Sequence, residues 1–196
     1  MRIGVDVRSL SEPITGIGRY TLCLLKEMTV NSPHEWVLYS YKPILHGNWN
    51  ISGVRVRTMK PFIILKGIYF AWLQLILPFW LKQDRIELFW SPAHRLPRYM
   101  PSSIASVITI HDLVWKYFPE TMRPFGKLLD SQIMPYAICH SDKIIASSKF
   151  TANNIFIESP EAKDKTKIVY LASSIARKNI SQLETIKEDY LLFVGT

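Results

Sequence analysis

His111 and Asp112 follow directly on Val107-Ile108-Thr109-Ile110, four β-branched residues in a row. Branching at Cβ favours extended chain, and a short apolar run bounded by polar residues reads as a strand buried on both faces. Side chains just past the carboxyl end of such a strand enter the crevice in which parallel sheets bind ligands. A histidine there can hold or pass a proton near neutral pH, and the carboxylate beside it can orient the ring or a ligand. The same dipeptide also serves as a satisfied histidine next to an aspartate that caps the following turn. On the dipeptide alone both readings stand.

A second constellation lies near the amino terminus. Residues 2–7 read as a strand that ends around Asp6, and Thr15-Gly16-Ile17-Gly18-Arg19-Tyr20 leads into a helix whose Ile17, Tyr20, Leu24 and Met28 recur on one face. Strand, glycine loop and helix make a phosphate-binding geometry: glycines admit an anion close to the backbone, and the helix start offers free amides and the positive end of a dipole. Thr21 stands where a dinucleotide-binding loop would have its third glycine, and a plain tight turn accounts for the same residues.

Strand and helix patterns alternate along the whole chain. Strands are predicted at 35–41, 54–58, 86–90, 105–110, 142–146, 167–171 and 190–196. Helices are predicted from 16 onward, over 61–82, over 122–140 with a bend at Pro135, from Ser147 or Ser148 as N-cap to about 158, and over part of 175–186. The aromatic stretch Leu113–Thr121 is too apolar to float free and is expected to pack beside the crevice. This alternation without repeats is that of an α/β chain with a doubly wound, Rossmann-like parallel sheet. A membrane span needs roughly 20 apolar residues. The most apolar segment, 61–82, carries Lys66, Gly67, Gln74 and Pro78 within that length and reads as a core helix, with Ile68 and Leu75 expected to be buried. Its aromatic residues Phe62, Tyr69, Trp72, Phe79 and Trp80 also suit peripheral contact with a lipid interface.

Composition narrows the classes of function. With 196 residues and 48% hydrophobic residues the chain can bury a sizeable core. A net charge of +8 favours anionic ligands or acidic lipid headgroups. No dense basic block or nucleic-acid-binding signature is present, so nucleic acid is not an expected partner. Cys23 and Cys139 lack a CxxC partner and read as reduced core residues. Met1–Val7 is a strand without an apolar signal core, so a cytoplasmic protein is expected, membrane-associated at most on the cytoplasmic face. No carboxylate pair of the glycosidase type and no His/Cys cluster of metal-ligand spacing stands out.

Five segments in order then carry a resemblance: Thr15–Tyr20 after the first strand; Trp72–Pro78 ahead of a strand ending in Trp90-Ser91-Pro92; Ile110–Leu113 followed by Phe118-Pro119-Glu120; Ala146–Thr151; and Phe193–Thr196. Together they resemble the N-terminal half of a retaining family 4 glycosyltransferase of GT-B architecture, closest to mannosyltransferase-like members that build bacterial cell-surface polysaccharides such as lipopolysaccharide. The resemblance implies an acceptor-side domain over 1–186 and, over 187–196, the start of a donor-binding domain whose remainder is absent. It implies a nucleotide-sugar substrate, with GDP-mannose the candidate, a glycan or lipid-linked acceptor, and no catalytic metal. His111 would bond the donor sugar, with Asp112 and Arg19 lining the same cleft. Gly16, Ile17, Gly18, Arg19 and Tyr20 would lie under the donor diphosphate, and Ser147, Ser148 and Thr151 would shape the acceptor side. A chain lacking the donor half is expected to be inactive alone, and the alternative is a non-catalytic module that binds a ligand or partner. A dinucleotide oxidoreductase is disfavoured, because Tyr39-Ser40-Tyr41 stands where an acidic ribose-binding residue belongs.

Overall fold

The computed structural model describes residues 1–59 and 68–172. Seven parallel strands form one open sheet in the order β3-β2-β1-β4-β5-β6-β7. They are β1 (Arg2–Asp6), β2 (Glu35–Ser40), β3 (Val54–Thr58), β4 (Leu88–Ser91), β5 (Ala105–Ile110), β6 (Lys143–Ala146) and β7 (Thr166–Ile168). Helices α1 (Gly16–Val30), α2 (Ile68–Ala71), α3 (Leu77–Gln83), α4 (Val114–Tyr117), α5 (Pro124–His140) and α6 (Lys149–Glu158) connect them. The fold is the doubly wound α/β sheet that the alternation implies.

Both faces of the sheet are apolar because successive residues of a strand point to opposite sides. On β2, Trp36 and Leu38 join Ile3, Val5 and Leu25 under α1. Val37 and Tyr39 join Leu77 and Leu81 of α3, Met134 and Ala137 of α5, and Ile155 of α6 on the other side. Gly4 lies under the second layer. A Cβ there would lie 3.0 Å from the Tyr39 ring, 3.1 Å from Leu81 and 3.2 Å from Ile86, so any side chain would push these three neighbours back by a few tenths of an ångström.

Within the predicted 61–82 helix, the described residues 68–82 cover the core on one side only. Trp72, Leu73, Leu77 and Leu81 are fully buried, each aliphatic one contributing about 1.5–3 kcal/mol. Leu75, expected in the core, is 64% exposed, as is Phe79, and Phe70 is 48% exposed. Trp72 leaves the proposed aromatic face for the core, while Tyr69 and Trp80 are partly buried against it. The side chains of Phe62 and Ile68 lie outside the described residues. A π-helical turn at Trp72–Ile76 separates α2 from α3. Pro78 follows in the first turn of α3; it cannot donate to the Gln74 carbonyl, and the wider turn absorbs its ring. Among the described residues no helix is long and apolar enough to cross a membrane.

Other expectations shift in detail. Leu113–Thr121 forms two short helical turns, Val114–Tyr117 and Pro119–Thr121. Leu113 is buried and Trp115 packs on the core, whereas Phe118 faces out at 55% exposure. Cys139 is exposed and Cys23 only half-buried, so neither is the core residue their apolar surroundings suggested. α5 runs unbroken through Pro135. β7 stops at Ile168, and Val169, Tyr170 and Leu171 are exposed. The strand predicted at 190–196, the helix at 175–186 and the domain boundary at 186/187 lie outside the described residues. Among the described residues the α1 face is incompletely covered, and Leu88, Val107 and Ile145 line an open apolar groove of about 740 Å³ beside α1.

Gly4→Ala is expected to lower the unfolding free energy by about 1–3 kcal/mol through overpacking against three side chains, measured by urea denaturation.

Candidate functional site

Strand order reverses between β1 and β4, so the loops leaving their carboxyl ends run to opposite sides and open a crevice between them. β5 is the next strand, and His111 is the first residue beyond it. The expected position of His111 at a carboxyl edge is therefore the one it occupies.

Four neighbours hold His111. Its Nε2 lies 3.0 Å from the carbonyl of Pro92, at the end of β4. A carbonyl only accepts, so Nε2 carries the proton, and Nδ1 keeps its lone pair with no hydrogen-bond partner among the described residues. The Tyr20 ring, from the N-terminal part of α1, meets the imidazole edge-on at 4.8 Å. The Ser147 and Thr151 hydroxyls both donate to the His111 carbonyl at 2.9 Å. Burial holds the imidazole below its ordinary value of 6.5, against smaller opposing pulls from the Pro92 carbonyl and Asp112. The ring is thus a neutral acceptor at Nδ1 near pH 7.

The remaining sequence-predicted residues divide by what their polar groups already do. Ser148 is the N-cap of α6 and accepts from the Thr151 amide at 3.0 Å, while its hydroxyl pairs with that of Thr151 at 3.0 Å. Ser147, Ser148 and Thr151 therefore fix the His111 peptide to the start of α6. Asp112 is exposed and accepts the Val114 amide at 3.2 Å, a local side-chain turn one residue ahead of Leu113, the N-cap of α4. Thr15 caps α1 by accepting from Gly18 N. Gly18 is required by packing, since a Cβ would stand 2.9 Å from the Ser9 carbonyl oxygen. Gly16 is different: nothing lies within 4 Å of where its Cβ would be, so the backbone there stays open to approach. Ile17 is half-buried and Arg19 exposed on the same turn.

A buried polar cluster beside His111 was not singled out from sequence. Arg8, two residues beyond β1, is ion-paired with buried Asp6 and donates to the Ala93 carbonyl at 3.2 Å. Arg95 donates to Asp130 of α5 at 2.9 Å, and its amide donates to Ser91 Oγ at 3.3 Å. His94 adopts a positive φ of 51°, uncommon for a residue with a side chain, and places Nε2 3.5 Å from Asp130. Burial drives the His94 imidazole below its ordinary value. Burial alone would raise the Asp130 carboxyl, but His94 and Arg95 hold it below the usual carboxylate range. Both guanidinium groups lie over the Tyr69 ring, at 5.0 Å for Arg8 and 5.3 Å for Arg95. The available signal was position: Arg8 and His94-Arg95 follow the two strands that flank the reversal.

No protein-family model and no curated protein matches this chain. Among the described residues, no three His, Cys, Asp or Glu side chains converge as a metal-ligand set. What the crevice offers is a neutral histidine acceptor, an open helix start at Gly16 and arginine donors.

Because the folded protein resists protonating His111 and His94, the unfolded chain binds more protons just below pH 6.5. Their contribution to stability is complete above that value and is lost as the pH falls through it. Urea melts across this range should show the loss, and His111→Gln should shrink it. Thr151→Val removes one of two donors to the His111 carbonyl and should cost about 1 kcal/mol in the same melts.

Proposed function

We propose that the chain is the acceptor-side domain of a retaining glycosyltransferase similar to family 4, transferring a hexose from a nucleotide sugar to a glycan or lipid-linked acceptor. The observation that carries this is the meeting of His111 with the N-terminal part of α1, through Tyr20, its fifth residue, beside the reversal of strand order. Nδ1 of His111 would accept a hydroxyl proton of the donor sugar, which a neutral imidazole does and a charged one does not. The first-turn amides of α1 at Gly16 and Ile17, with the helix dipole, would offset charge on the departing diphosphate. Asp112 and Arg19 would line the cleft. Ser147, Ser148 and Thr151 act in this reading by positioning His111, with their acceptor role indirect. The resemblance places most of the nucleotide pocket on a second domain facing this crevice.

Mannose carried by GDP is the donor to try first. The exposed Phe70, Leu75 and Phe79 and a net charge of +8 support contact with an anionic membrane surface, where a lipid-linked acceptor would be found. A cytoplasmic location belongs to the same reading.

Titration of GDP-mannose and free nucleoside diphosphates, followed by transfer assays, tests the proposal on this chain and on one extended through the reading frame that follows it. Transfer by the extended chain is expected, with His111→Ala lowering its rate at least about tenfold, the worth of one hydrogen bond in a desolvated site. Glycan binding without any nucleotide-sugar binding would instead identify a non-catalytic module.

A further inference from the structure

Arg8, Glu12, Thr15, Tyr69 and Arg95 line a pocket of about 280 Å³. One turn of backbone ties it to the histidine site. The consecutive carbonyls of Pro92 and Ala93 are taken by His111 on one side and Arg8 on the other. We infer that this pocket binds one oxyanion, a phosphate or a carboxylate, carried by the molecule that enters the crevice.

The donors are built in rather than scattered on a surface. Asp6 anchors Arg8 and Asp130 anchors Arg95, so neither guanidinium has to be ordered by the ligand. Arg95 gives Nη2 to Asp130 and lies against the Tyr69 hydroxyl, while its buried Nε makes no well-formed hydrogen bond among the described residues. Tyr69 Oη is buried beside the Arg95 guanidinium, which can only donate to it, so the hydroxyl proton itself has no acceptor among the described residues. Buried polar atoms are nearly always paired, and a Tyr69 hydroxyl proton with no acceptor, set beside two guanidinium groups in one pocket, marks the place of an absent acceptor. An oxyanion has the lone pairs to serve several donors, whereas a neutral hydroxyl would leave some unpaired. Glu12, the carboxylate lining the pocket, is already held by Lys42 at 2.5 Å and by the Tyr41 hydroxyl at 3.3 Å. Calling the ligand a phosphorylated or acidic acceptor rests on the transferase reading; the oxyanion site itself does not.

The test is calorimetric titration of the chain with inorganic phosphate and, separately, with glucuronate. Saturable binding of either is expected, phosphate alone indicating a phosphorylated ligand and glucuronate alone a sugar acid. Tyr69→Phe and Arg95→Lys should each weaken it about tenfold, the worth of a charge-assisted hydrogen bond. Tyr69→Phe should change the thermal midpoint little, because its hydroxyl has only its contact with Arg95 to lose. Absence of binding for both anions, or equal binding by wild type and both variants, overturns the inference. Anion binding that survives while nucleotide-sugar transfer fails would leave this pocket standing and remove the transferase reading. The converse would remove only the pocket.

Discussion

The turn Ser91–Arg95 is tied at three successive points, and the crevice depends on those ties. Ser91 Oγ takes the Arg95 amide, the Pro92 carbonyl takes His111, and the Ala93 carbonyl takes Arg8. Each bond contributes about 1 kcal/mol to stability, but an unpaired carbonyl in the same place would cost more than that. The turn therefore carries position between two chemistries. His111, past β5, and Arg8, past β1, are set relative to each other through one short stretch of backbone. The positive φ of His94 in its middle is backbone strain of the kind that persists where surrounding contacts over-determine it.

Charge placement follows the same logic. Asp6 and Asp130 are each nearly shut from solvent and each face an arginine. Buried ion pairs add little net stability over apolar packing, yet removing one partner leaves a buried charge and costs about 3–5 kcal/mol. Their value lies in holding guanidinium groups still over the Tyr69 ring, at the mouth of a crevice that strand order opens. His94 and His111, both kept neutral by burial, add no positive charge to this cluster near pH 7.

The α2–α3 run shows how one segment meets two demands. Its inner side closes the core through Trp72, Leu77 and Leu81, and Gln74, buried among them, accepts the Arg98 amide at 2.7 Å and fixes the loop after β4. Its outer side leaves Leu75 and Phe79, four residues apart and so on one face, in solvent. The same run supplies Tyr69 to the oxyanion pocket.

Much of this was legible in the residues themselves. β-Branched runs, alternation of strand and helix, the cap at Ser148 and the place of His111 at a strand end all express local preferences, which short stretches of chain carry on their own. The side of α2–α3 that faces the core was not legible, because nearly all of its residues are apolar and Pro78 shifts the phase of the helix. Nor were the partners of His111, which lie 19 residues before it at Pro92 and 36 and 40 residues after it at Ser147 and Thr151. The pairing of Arg8 with a carbonyl 85 residues away was equally hidden. Such contacts close only when β1, β4, β5 and β6 lie side by side, and that order is set by packing of whole elements on both faces of the sheet. The chain's local chemistry determined which groups could act; the strand order decided which of them meet.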